Sequence, residues 1–102
     1  MKTLTALSLA SLIGLSASLV QARDLGPDEA QRLLDAGTIV PFEQLNATAL
    51  ARHPGATITD AELKEKYGKY LYRIDLRDSQ GLEWDVELDA VSGQLLKDHQ
   101  DT

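Results

Sequence analysis

From Ala56 onward the apolar residues abandon helical spacing for strict alternation, and this constrains the fold more than any other feature. Tyr70, Tyr72, Ile74 and Leu76 alternate with Leu71, Arg73, Asp75 and Arg77. Leu82, Trp84, Val86 and Leu88 alternate with Glu83, Asp85, Glu87 and Asp89. A period of two with one apolar and one charged face describes antiparallel strands that are wet on one side. Ala61 and Leu63 alternate with Glu62 and Lys64 in the same way. Ile58 is out of phase with Ala61, which predicts a bulge near Thr59-Asp60.

The turns set the register. Asp78-Ser79-Gln80-Gly81 reads as a type I turn with glycine in the left-handed position. It places Leu76 opposite Trp84, Ile74 opposite Val86 and Tyr72 opposite Leu88. On the other face Arg77 meets Glu83 and Arg73 meets Glu87, so both faces support one register. Asp75 opposite Asp85 is the exception. A four-residue Glu65-Lys66-Tyr67-Gly68 loop sets Leu63 against Tyr70 and Ala61 against Tyr72. Asp89-Ala90-Val91-Ser92-Gly93 forms another turn, residues 94–97 add a short edge strand, and residues 98–102 are a polar tail.

Upstream the spacing is helical. Gly26-Pro27-Asp28-Glu29 starts a helix, because proline suits its first position and acids suit its positive end. Ala30, Leu33 and Leu34 form its stripe and Gly37 stops it. Pro41 opens a second helix with Phe42, Leu45 and Ala49 on one face, ended by His53-Pro54-Gly55. Two helices on the apolar face of a three- or four-stranded antiparallel meander make an α+β fold.

Residues 1–22 read as a secretory signal peptide. Lys2 precedes an apolar run of sixteen residues, and Val20-Gln21-Ala22 has small residues where a signal peptidase cuts. Cleavage after Ala22 leaves about 80 residues, one small domain, expected in the periplasm or secreted with no membrane span. Residues 23–40 then form the first helix and linker, and residues 41–97 the main unit. Removing Lys2 leaves 9 basic groups facing 16 acidic ones, a net charge of -7. That balance argues against nucleic acid or an anionic membrane as partner. The absence of cysteine excludes disulfides, thiol catalysis and zinc–thiolate sites.

The string from Pro41 to Lys97 resembles the PepSY domain. The resemblance is carried by Phe42 on the amphipathic helix, His53-Pro54-Gly55, the hairpin at Gly68-Lys69, and Tyr72-Arg73-Ile74-Asp75-Leu76. The turn at Gly81 and Asp89-Ala90-Val91-Ser92-Gly93-Gln94-Leu95-Leu96 complete it. It implies a helix packed on an antiparallel sheet. It also implies a non-catalytic binding or regulatory module without a cofactor, acting on an envelope or secreted protein such as a peptidase or a sensor. No inhibitory residue maps onto this chain, since the matching motif is structural.

Candidate contacts come from the residues themselves. Glu83, Asp85, Glu87 and Asp89 form a carboxylate row on the exposed sheet face, flanked by Arg73 and Arg77. The row reads as a solvated face, with docking of a basic partner or binding of a cation as the functional alternatives; no glycine-punctuated calcium loop accompanies it. Tyr67, at a loop tip, is an exposed aromatic contact, whereas Tyr70, Tyr72 and Trp84 are core anchors. His53 packs against the sheet rather than ligating a metal, since no second histidine lies near it, and His99 is solvated. Leu71 projects onto the charged face. That leucine and the free edge at residues 94–97 would be relieved in a two-fold dimer, which the charge of -7 opposes, so a monomer or a weak homodimer is expected.

Overall fold

A computed structural model describes residues 22–101. The leader expected over residues 1–22 lies outside them, apart from Ala22. The chain runs β1 (Arg23–Asp24), α1 (Pro27–Asp35), α2 (Phe42–Arg52), β2 (Thr57–Lys66), β3 (Lys69–Arg77), β4 (Glu83–Asp89) and β5 (Leu95–Gln100). The strands form one antiparallel sheet in the order β1-β2-β3-β4-β5. The strand count is five rather than three or four, because Arg23 and Asp24 pair with Glu65 and Lys64 as a short extra edge.

Both helices form for the reasons the sequence offers. Pro27 is the first residue of α1, with Asp28 and Glu29 in its first turn. Gly37, at φ 71°, ends it: Gly37 N–H donates to Leu34 C=O and Thr38 N–H to Leu33 C=O, a paired closure of the last turn. Pro41 precedes α2 and leaves it N-capped by backbone alone. Leu45 and Ala49 of α2 are fully buried against Ile74, Leu76, Val86 and Leu88, also fully buried. Ala30 and Ile39 close the core at the α1 side.

The β3–β4 register is the expected one at all six expected pairs, including Asp75 opposite Asp85, and continues to Leu71 opposite Asp89. Asp78 N–H donates to Leu82 C=O across the turn, and Gly81 takes φ 85°. The bulge expected near Thr59-Asp60 lies between Ile58 and Asp60; it puts Ile58 opposite Leu76 and Ala61 opposite Ile74 on one face.

Four expectations are corrected. The β2–β3 loop has two residues, not four, so Leu63 meets Tyr72 and Ala61 meets Ile74. Tyr67 and Gly68 both take positive φ, 54° and 75°, as a type I′ turn requires, and that turn matches the strand twist. Leu82 belongs to the turn rather than the apolar face and is exposed. Ala61 is exposed although its register partner Ile74 is buried. The polar tail expected from residue 98 begins inside β5, which pairs with β4 as far as Gln100.

Ile74→Ala should cost about 2–5 kcal/mol, since a fully buried side chain is removed from a close-packed site. Leu82→Ala should stay within about 0.5 kcal/mol. Urea unfolding of the two variants checks the contrast, which alternation alone would not draw.

Candidate functional site

The sheet is covered on one face. Its outer face carries the residues that alternate with the core: Lys64 and Glu62 on β2, Leu71, Arg73, Asp75 and Arg77 on β3, Glu83, Asp85, Glu87 and Asp89 on β4, and Lys97 and His99 on β5. A chain of ion pairs crosses all five strands. Lys64 Nζ lies 2.8 Å from Asp24 and 3.4 Å from Glu62, and Arg73 lies 3.7 Å from Glu62. Arg73 Nε donates to Asp85 Oδ1 at 3.1 Å, and Lys97 Nζ donates to Asp85 Oδ2 at 3.2 Å.

Asp85 corrects the exposed carboxylate row: it is buried, 7% accessible, beneath the side chains that bind it. Burial pushes its carboxyl up, but the hydrogen bonds from Arg73 and Lys97 outweigh burial and hold it below the usual carboxylate range. Arg73 faces Glu87 in register yet spends its hydrogen bond on the diagonal Asp85, while Glu87 faces Lys97. Arg77 donates to Glu83 at 2.8 Å in an exposed pair. Asp89 turns away from the row: its Oδ1 accepts from Val91 and Ser92 N–H and shapes the β4–β5 turn with Gly93 at φ 81°. The row is thus divided among basic partners and a turn. No group of three His, Asp or Glu able to hold a metal occurs among the described residues.

Asp75 is the unsatisfied member. Its Oδ1 is buried without a hydrogen-bond partner, 3.4 Å from Arg73 Nη2. Burial raises its pKa, attraction to Arg73 offsets part of this, and repulsion from Asp85 adds to the rise.

A second cluster lies where α2 ends. His53 stacks on Trp84 at 4.4 Å between centroids, and its Nε2 is 2.8 Å from Asp98 Oδ1. Arg52 Nε donates to Asp98 Oδ2 at 3.0 Å. Burial raises Asp98 and the His53 and Arg52 hydrogen bonds more than reverse it, leaving its carboxyl below the usual range. Trp84 is half-buried rather than a full core residue, and its indole N–H donates to Asp78 Oδ2 at 2.9 Å. Asp78 Oδ1 also accepts from Gln80 and Leu82 N–H, so one carboxylate holds the turn and the tryptophan. Gly55, at φ 87°, follows Pro54 and lies against Ser79 in that turn. Phe42 stacks on Tyr72 at 5.1 Å, and Tyr72 Oη donates to Asn46 Oδ1. These contacts pack His53 against Trp84 and Asp98 on the helix side of the sheet. Asp78, Asp98 and Asn46 were missed as anchors: a short polar side chain in a turn, an edge strand or a helix gives no periodic signal.

Tyr67 is 71% exposed, at the tip of the β2–β3 hairpin. Tyr70 is half-buried against the core. Leu71, also half-buried, stands on the outer face between Lys64 and Asp89. The described residues form no pocket.

Residues 39–99 match the PepSY family, described as the peptidase propeptide and YPEB domain. The chain belongs to the PepSY family. The match covers α2 and β2 to β4 entire and nearly all of β5, the unit that carries the His53 cluster and every member of the ion-pair ladder but Asp24. A stretch of 46 residues, 45% of this chain, is 33% identical to the uncharacterized protein YkoJ of Bacillus subtilis (strain 168), and covers 27% of that protein. No solved structure matches. In this PepSY chain no helix among the described residues is long and apolar enough to cross a membrane.

Asp98 and Asp75 should respond to pH in opposite directions. Asp98 is held low, so it stabilises the fold at neutral pH and loses that contribution as acid protonates it. Asp98→Asn should cost about 1–3 kcal/mol at pH 7, with the deficit shrinking below about pH 4. Asp75 is held high, so its charge is a penalty at neutral pH that acid relieves. Asp75→Asn should melt higher at pH 7, and its advantage should fade in acid. Thermal melts between pH 3 and pH 7 check both, using about those limits.

Proposed function

We propose that the chain is an exported, non-catalytic PepSY module that binds and modulates a partner protein, a peptidase or a sensor of the cell envelope. The family match over residues 39–99 carries this reading, because propeptide and regulatory modules are what that family contains. The pattern of residues 1–22 supports export, with Arg23 as the first residue of the mature chain. The uncovered outer face of the sheet supports binding. A single sheet layer with helices on one side leaves a broad surface for a partner, and its ladder of paired charges keeps that surface ordered. The module acts as a monomer or a weak homodimer.

Fractionation of native cells tests the reading. The protein should be recovered from the exported fraction with Arg23 at its N-terminus. After mild cross-linking it should be bound to a specific partner at a fixed ratio. Recovery inside the cytoplasm with residues 1–22 intact, or no specific partner in the exported fraction, contradicts it.

A further inference from the structure

The hairpin tip joining β2 to β3 departs from local rules in two independent ways. Tyr67 takes φ 54° and is the one non-glycine at positive φ among the described residues. Asparagine, aspartate or glycine suits that first position of a type I′ turn, and a bulky aromatic there is strained. The ring gains little in return, since it is 71% exposed and touched by Lys66 Nζ only at 5.8 Å from its centroid.

The second departure is electrostatic. Lys66 stands directly opposite Lys69 in the register, and like charges so placed repel. Elsewhere on the outer face Lys64, Arg73, Arg77 and Lys97 each have a carboxylate within 3.4 Å. Neither Lys66 nor Lys69 has an ion pair among the described residues. Three of the four lysines beyond Ala22 fall within residues 64–69, in a chain whose net charge is otherwise strongly negative. Leu71, on the same outer face two residues beyond Lys69, adds an apolar side chain beside them.

We infer that Lys66, Tyr67, Lys69 and Leu71 form a docking surface for an acidic polypeptide segment that also carries apolar side chains. Two lysines whose charges are uncompensated call for carboxylates. A strained, presented tyrosine, with Leu71 further along the outer face, calls for apolar contact, and tyrosine is a favoured anchor at protein interfaces. Lysines alone at a tip would serve solubility, but a strained aromatic between them works against that role. Two lysines are too few to hold a strongly acidic chain on an anionic membrane. Unfavourable local choices are what a functional site carries, and an acidic partner would supply the charges that Lys66 and Lys69 lack.

This inference rests on the binding-module reading and names its surface. An immobilised array of short random-sequence peptides, probed with the purified protein and with the Tyr67→Asn and Lys69→Glu variants, tests it alongside melting curves. The wild type should retain peptides enriched in Asp and Glu together with apolar residues, and less so in high salt. Each variant should lose that retention by about tenfold or more. Each should also melt higher than the wild type: asparagine suits the turn, and glutamate opposite Lys66 replaces repulsion with attraction. Retention without acidic enrichment overturns the inference, as does equal retention by the variants, no retention by any form, or a lower melting midpoint in both variants. Those results leave the module reading to the fractionation experiment, where a partner docked elsewhere is still captured.

Discussion

Pairing of β3 with β4 places Ile74 opposite Val86 and Tyr72 opposite Leu88, with Arg73, Asp75 and Asp85 on the reverse side. A slip of one residue would turn every one of these side chains to the wrong face. The core of so small a domain rests on that register. Leu45 and Ala49 of α2 have an apolar floor only because Ile74, Leu76, Val86 and Leu88 share one side of the sheet. The Asp78 turn holds the register at one end, with two backbone N–H groups and the Trp84 indole on a single carboxylate.

The same register concentrates charge on the outer face, and the ladder there manages the consequence. Asp85 is buried, and a buried carboxylate is costly unless paired. Arg73 and Lys97 reach it from the neighbouring strands on either side, so satisfying Asp85 also stitches β3, β4 and β5 together. Asp75 bears the remaining conflict: Arg73 gives its hydrogen bond to Asp85, and Asp75 keeps an unpartnered oxygen 3.4 Å from the Arg73 Nη2. The edge strand β5 is held independently from the helix side, where Asp98 receives Arg52 and sits against His53. Without Asp98 the last strand would be attached by backbone pairing, Leu95 and the Lys97–Asp85 pair.

Much of this was legible in the sequence because alternation and turn chemistry agreed. The β3–β4 register, the bulge before Asp60 and both helices follow from residue patterns that point to one structure. Where two signals conflicted, the reading failed. Tyr67 is a poor residue for positive φ, so the sequence reads as a longer loop there, and the β2–β3 register lies two residues from the expected one. Asp98, His99 and Gln100 are polar on both faces and carry no period, so the end of β5 read as a tail. The burial of Asp85 is invisible to alternation. It arises from long side chains on neighbouring strands closing over a short one. Leu82 shows the converse: it keeps the apolar phase but falls within the turn. Of the candidate contacts, Tyr67 was legible because a tip exposes whatever it carries; the repulsion beside it required the true register.

The proposed partner-binding role places the contact on the outer face of the sheet and, on that face, at the hairpin tip. A photo-reactive amino acid placed singly at positions around the molecule in native cells reads that geometry directly. Adducts to a partner protein should form from Tyr67, Lys69 and Leu71, weaken toward Arg77 and Glu83 at the far end of the sheet, and be absent from Gln31 on α1 and Ala47 on α2. Adducts confined to the helices, or equal at every exposed position, would contradict the account.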